Sequence, residues 1–196
     1  MTEAHTDRRF VRRRGLLGLL LLGLTLPGVG TSVLTIAWFT DSQSVGGNGF
    51  TTGTIDVSTS PSSAVLTAGA MMPGDSVNGS LVVTNNGSAQ LRYALSTSAA
   101  NGDGKGLREV ISLTIKSEGA SCATFNGTTL YAGVLAGGAF GNSTPGGQLG
   151  DRALNAGTSE TLCFRAELPT ATGNEYQGAT TTATFTFDAE QTANNP

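Results

Sequence analysis

From about its fiftieth residue to its end, the chain alternates apolar and polar positions in short runs. Leu91, Tyr93 and Leu95 alternate with Arg92, Ala94 and Ser96, and Ile111, Leu113 and Ile115 with Ser112, Thr114 and Lys116. Leu162, Phe164, Ala166 and Leu168 alternate with Cys163, Arg165 and Glu167. The last run is the most regular, with Ala183, Phe185, Phe187 and Ala189 set against Thr182, Thr184, Thr186 and Asp188. A period of two sends successive side chains to opposite faces of an extended strand. Each run therefore predicts a strand with one face on a core and the other in water. Ile55 with Val57, Val65, and Val77 to Val83 supply further strand candidates. Turn residues separate the runs at Pro73-Gly74-Asp75, Asn85-Asn86-Gly87 and Asn101-Gly102-Asp103-Gly104, and a longer Gly-rich loop runs from Gly137 to Gly150. Asn86-Gly87 suits a tight hairpin. No window carries a helical period. The pattern predicts an all-β, antiparallel sandwich of about 150 residues, formed as one domain.

Ahead of this region the pattern changes. An apolar run from Gly15 to Pro27 follows a basic head that holds Arg8, Arg9, Arg12, Arg13 and Arg14. Against Glu3 and Asp7 the head carries +3, so the remainder carries −6 within a formal total of −3. A basic head before an apolar run is the build of a secretory signal peptide. Continued to Ala37, the run is long enough for a signal anchor. Pro27, Gly28 and Gly30 break its second half and favour cleavage. Thr35 and Ala37 fill the small-residue positions if the cut falls between Ala37 and Trp38. Arg8-Arg9-Phe10 invites a twin-arginine reading; the imperfect spacing and strongly apolar run favour a Sec-type leader. The expected organisation is a signal peptide over 1–37, an arm over 38–49 and a β-domain over 50–196. The product is expected to be secreted or at the cell surface, touching the membrane only through an uncleaved leader.

Export makes the two cysteines readable. Cys122 and Cys163 can pair in an oxidising compartment, the alternative being two buried thiols. Alternation puts Cys163 on the polar face of its strand, where a free thiol would be exposed. A disulfide over a sandwich edge is therefore the easier reading.

Of 196 residues, 38% are apolar and 13% are charged. That is too few charges for a coiled coil and too much apolar content for a disordered tail. Catalytic chemistry is thin. His5 is the single histidine and lies in the leader, so a mature chain would have no imidazole for a triad or a zinc site. Lys105 and Lys116 sit in a Gly-rich turn and on a polar strand face, where solvation suffices for both. No Gly-rich loop opens a helix, so phosphate cradling has no basis. A charge of −6 disfavours nucleic acid. Asn101, Asp103, Gly106 and Glu109 match positions 1, 3, 6 and 9 of a calcium loop, but Lys105 at position 5 and Ser112 at position 12 spoil the ligand set. No catalytic residue, metal ligand or cofactor is expected. Asn78, Asn86, Asn126 and Asn142 head glycosylation sequons of a kind that arises readily by chance in a Thr- and Gly-rich chain, and the Asn-Gly pairs among them already have a turn explanation.

Ala37-Trp38-Phe39-Thr40-Asp41, followed by Phe50-Thr51-Thr52-Gly53-Thr54-Ile55-Asp56-Val57, resembles the leader junction of the TasA/camelysin (CalY) family. Met72-Pro73-Gly74-Asp75 and the strand ending in Asn85-Asn86-Gly87 are similar to that family's second signature. Glu160 to Pro169 and Phe185 to Gln191 resemble actinobacterial members. The resemblance implies a leader cut by a dedicated signal peptidase of the SipW type and a jelly-roll domain displayed outside the cell. Some relatives form fibres of the biofilm matrix, in which the mature N-terminal segment inserts as a donor strand into the next subunit. Here that segment is Trp38 to Gly49, headed by Trp38, Phe39 and Asp41; the same stretch can equally fold back as an edge strand or stay frayed. Expected partners are further copies of the chain, cell-surface or matrix components, and the signal peptidase during export. Relatives also carry a metalloendopeptidase label, from which this chain departs by lacking His-Glu-x-x-His. A structural matrix or fibre subunit leads the readings. An extracellular binding module or adhesin, using the 137–150 loop and the Thr-rich final strand, follows, and a camelysin-like metalloendopeptidase comes third.

Overall fold

In a computed structural model that describes Gly47 and residues 49–195, the alternating runs become nine strands in two antiparallel sheets. They are β1 (Val57–Ser60), β2 (Ser76–Asn85), β3 (Leu91–Ala99), β4 (Ser112–Ser117), β5 (Thr129–Val134), β6 (Ala139–Phe140), β7 (Arg152–Leu154), β8 (Ser159–Glu167) and β9 (Ala183–Gln191). The first sheet runs β1-β2-β8-β4-β5. In the second, β3 pairs with β9 on one side and with the short β6 and β7 on the other. Gly49–Pro196 forms one compact unit.

The inward positions of the alternation build its core. Leu81 and Val83 of β2, Leu113 and Ile115 of β4, and Leu162 and Phe164 of β8 are buried in a cluster with Leu91, Tyr93 and Leu95 of β3. Rings of Phe164 and Phe185 lie 5.0 Å apart across the two sheets, and Tyr93 meets Phe140 edge-on at 5.9 Å. Separations of this order suit aromatic pairs.

Three expectations are corrected. Asn86-Gly87 does not close a hairpin, because β2 and β3 belong to different sheets and residues 86–90 cross between them. The cause is Asn85, whose side chain turns inward and binds this crossing to β7. Val65 lies outside any strand, in a segment that passes over the inner face of β2. Cys163 is not on an exposed face. It is only 1% exposed, because the 118–128 connection between β4 and β5 folds over the outside of β8. Cys122 and Cys163 are joined by a disulfide with a Cα separation of 5.1 Å, and β8 is the middle strand of its sheet, away from either edge. Beside it the buried ring of Phe125 lies 4.1 Å from the Arg165 guanidinium and 5.0 Å from the Lys116 ammonium.

The leader, the Ala37–Trp38 junction and the head of the arm, Trp38, Phe39 and Asp41, lie outside the described residues. The alternation also gave no warning of β5, β6 and β7. Two of these are only two and three residues long, too short to show a period.

Candidate binding groove

The first sheet is five strands wide; the second has four, but β6 and β7 share one edge of β3, so it is narrower and leaves part of the inner face of β1 and β2 with no strand opposite it. The mismatch opens a groove of about 1080 Å³ between β2 and β9. Val77 and Leu81 of β2 and Ala166 and Leu168 line one side, Phe185 and Phe187 of β9 another, and the segment from Pro61 to Pro73 a third. No charged side chain lines it. The volume slightly exceeds the roughly 300–1,000 Å³ of small-molecule pockets, and its make-up of strand edge and apolar floor suits extended polypeptide.

β9 gives the groove its hydrogen-bonding wall. All nine of its residues pair with β3 along one edge, while the other edge has no backbone partner among the described residues. Ala183, Phe185 and Phe187 point inward yet stay half-buried.

The far end of β9 is fastened. Arg92 on β3 donates from Nε to Glu190 Oε1 at 2.6 Å, and the Gly146 amide donates to the same oxygen at 3.1 Å. The guanidinium of Arg92 beside it holds the Glu190 carboxyl below the usual carboxylate range. Asp151 accepts from the Asn142 and Gln148 amides at 2.9 and 2.7 Å. The Gly-rich 137–150 loop is thus latched to the second sheet.

A second tether joins the sheets through the core. Tyr93 of β3 donates its hydroxyl to Glu160 Oε1 of β8 at 2.6 Å, and Arg152 Nε donates to both Glu160 oxygens at 2.8 and 2.9 Å. Burial pushes the Tyr93 phenol well above its ordinary range, and the hydrogen bond to the carboxylate adds to the effect. A phenol raised in the fold stabilises the fold below the unfolded tyrosine pKa of about 10 and loses that contribution as pH rises past it. Stability is therefore expected to fall with pH above about 10, and Tyr93→Phe to flatten that slope. Urea midpoints measured across the alkaline range check it; an unchanged slope in the variant would remove Tyr93 as the cause.

The loop resembling a calcium site spends its oxygens on its own backbone. Asn101 Oδ1 accepts from the Gly106 amide at 2.8 Å, and Asp103 accepts from the Lys105 and Thr180 amides at 3.0 and 2.6 Å. Those two amides hold the Asp103 carboxyl below its ordinary range. Lys105 Nζ donates to the Gln177 carbonyl at 2.6 Å, and Lys116 Nζ to the Phe125 carbonyl at 3.0 Å. The loop thereby anchors residues 177–180, which line the groove.

The model of the camelysin metallo-endopeptidase family matches residues 18–109. Over that stretch, just under half of its length, the chain is similar to the camelysin/TasA family. No curated protein matches it in sequence. The camelysin match takes in β1 to β3 and the Pro61–Pro73 wall, while β8 and β9 lie beyond it. The metallo-endopeptidase in the camelysin name calls for a metal site, which as zinc would take three protein ligands. Among the described residues no three His, Cys, Asp or Glu side chains come together to hold an ion. Asp151, Asp188 and Glu190 line one small pit, but Asp151 and Glu190 already serve the backbone amides and Arg92 named above. The donor set does not fit the metal, and no hydrolytic step follows from it.

The groove was not legible in the sequence, although one signal for it was present. Gly79 interrupts the Val77–Val83 run, and an isolated glycine in a strand often marks a close approach by another backbone.

Proposed function

We propose that the chain is a secreted structural subunit of the cell surface or extracellular matrix, assembling when the Trp38–Gly49 arm of one copy lies along β9 of another. The observation that carries this reading is the bare edge of β9 beside an uncharged groove. A strand added there would gain a ladder of backbone hydrogen bonds and cover Phe185 and Phe187. The arm suits the site chemically. Its twelve residues carry one charge, Asp41, and its bulk is concentrated in Trp38 and Phe39, with small residues behind. An extended chain rises about 3.3 Å per residue. The arm can therefore run the length of a nine-residue strand. Export through the leader would put the subunit where such fibres act.

The chain beginning at Trp38 is expected to form filaments in negative-stain micrographs as concentration rises. Removing residues 38–49 is expected to leave a folded monomer by light scattering and circular dichroism. Unchanged assembly without the arm would reject strand addition by that segment. The groove's volume also favours a second reading, a binding module that takes a foreign uncharged segment. A chain that stays monomeric at every concentration yet binds cell wall or polysaccharide would favour it.

A further inference from the structure

We infer that residues 62–71 are a cleavage site for an endopeptidase that cuts after small apolar residues, and that one cut there disconnects the donor arm from the body of the subunit. The cleavage site stands by itself; the disconnection rests on the strand-addition reading above. A protease takes its substrate as an extended chain and pairs with its backbone, so the segment it cuts must be exposed and have its amides and carbonyls free. Among the described residues, no amide or carbonyl from Pro61 to Met71 forms a backbone hydrogen bond. Ser62, Ser63 and Ala64 are exposed, as is the run Thr67-Ala68-Gly69-Ala70, and only Val65, Leu66 and Met71 rest against the core.

The other long connections between strands are pinned. Asn101 and Asp103 hold the amides of Gly106 and Lys105, and the disulfide holds the 118–128 cover. The amides of Asn142, Gly146 and Gln148 bind carboxylates. Beyond β8, the Thr172, Gln177 and Ala179 amides donate to carbonyls three residues back at 3.0, 3.0 and 2.9 Å. The free connection also has a distinct chemistry. Residues 61–73 contain no Lys, Arg, Asp or Glu, so an enzyme that needs a charged residue at the cut has no bond to attack, whereas Ala64, Val65, Ala68 and Ala70 suit a pocket for small apolar side chains. Hydrolysis adds one water across one C–N bond and leaves a carboxylate and an ammonium. Neither sheet loses a strand, because Ser60 stays paired with Val82 and the Gly74 amide with the Leu168 carbonyl at 2.7 Å. What a cut removes is the covalent path from the arm to the core. Only the four-residue ladder of β1 on β2 and the bonds of Thr54 and Asp56 to the 86–89 crossing then join the two, so an assembly linked through its arms can be severed without unfolding its subunits.

The first measurement uses residues 49–196, which form a compact unit with their own core. Elastase in native buffer is expected to cut within 62–71 at least about tenfold faster than at any other connection between strands. The two fragments should separate in denaturant and elute together without it. A first cut in the 137–150 loop or in residues 168–182, or no cut until urea unfolds the unit, would overturn the site. Ala68→Arg tests it with a second enzyme, by placing a basic residue in the segment. Trypsin is expected to cut there about tenfold faster than at Arg92 or Lys105, and survival of that bond while the others are cut would equally overturn the site. Filaments of the chain beginning at Trp38 are then treated with elastase, and their mean length is expected to fall at least about twofold. Unchanged length with the segment fully cut would overturn the disconnection and leave the cleavage site standing. A chain that is cut as expected but never forms filaments would overturn strand addition and the disconnection with it.

Discussion

Replacing Cys122 and Cys163 together by alanine is expected to lower the stability of the 49–196 unit by about 3–4 kcal/mol, or about 10 °C in Tm. The bridge joins residues 41 positions apart, and closing a loop of that length in the unfolded chain accounts for most of the effect. The folded state adds to it. Cys163 is buried at the middle of the first sheet, and the 118–128 connection that covers it carries the buried Phe125 between Lys116 and Arg165. Without the bridge this cover is held by the Phe125 contacts, by Lys116 Nζ on the Phe125 carbonyl and by the Glu118 amide on the Thr161 carbonyl of β8 at 2.9 Å. Thermal unfolding with and without reductant is the measurement. The parent should lose stability under reductant while the double variant shows no response. A double variant within about 2 °C of the parent would mean that the loop is held by its packing alone.

The outcome at Cys163 shows what the amino-acid pattern conveys and where it stops. Alternation places side chains on the two faces of a strand, and on that basis β2, β3, β4, β8 and β9 were legible from Val77, Leu91, Ile111, Leu162 and Ala183 onward. It says nothing of what lies above the outer face, so a residue on the polar side was expected to meet water and instead meets a loop. The sheets were less legible than the strands. β2 pairs with β8 and β3 with β9, contacts across most of the domain that no local window contains. Hence Asn86-Gly87 read as a hairpin although it crosses between sheets. The groove arises from the same non-local fact, since which of the second sheet's four strands share an edge of β3 is a property of the pairing. Its wall from Pro61 to Pro73 has no period at all, and only Gly79 on the strand opposite hinted that another backbone comes close.

Asn85 is expected to be the costliest polar position to lose, at about 3–5 kcal/mol for Asn85→Ala. It is fully buried, and every polar atom of its side chain is used. Nδ2 donates to the Ala89 carbonyl at 2.9 Å and to the Leu154 carbonyl at 3.1 Å, while Oδ1 accepts from the Gly87 amide at 2.9 Å. Truncation strands the Leu154 carbonyl and the Gly87 amide in the core and frees the part-buried Ala89 carbonyl, and each unsatisfied buried group costs about 1–3 kcal/mol. Asn86→Ala provides the contrast. That residue is exposed, and its Nδ2 bonds the Ser58 hydroxyl at 2.8 Å. Its loss is expected to cost about 0.5 kcal/mol or less. Two adjacent asparagines that look alike as turn residues should thus differ several-fold in the stability lost, read as urea midpoints at equal m-value. A cost below about 1 kcal/mol at Asn85 would mean that water replaces its amide. The consequence reaches beyond the side chain itself. The crossing that Asn85 shapes also holds residues 54–56, with the Asn86 amide on the Asp56 carbonyl at 2.8 Å and the Ser88 amide on the Thr54 carbonyl at 3.1 Å. Loosening that crossing would release these bonds, so Asn85→Ala should also speed hydrogen exchange at the Asn86 and Ser88 amides beyond its effect on global stability.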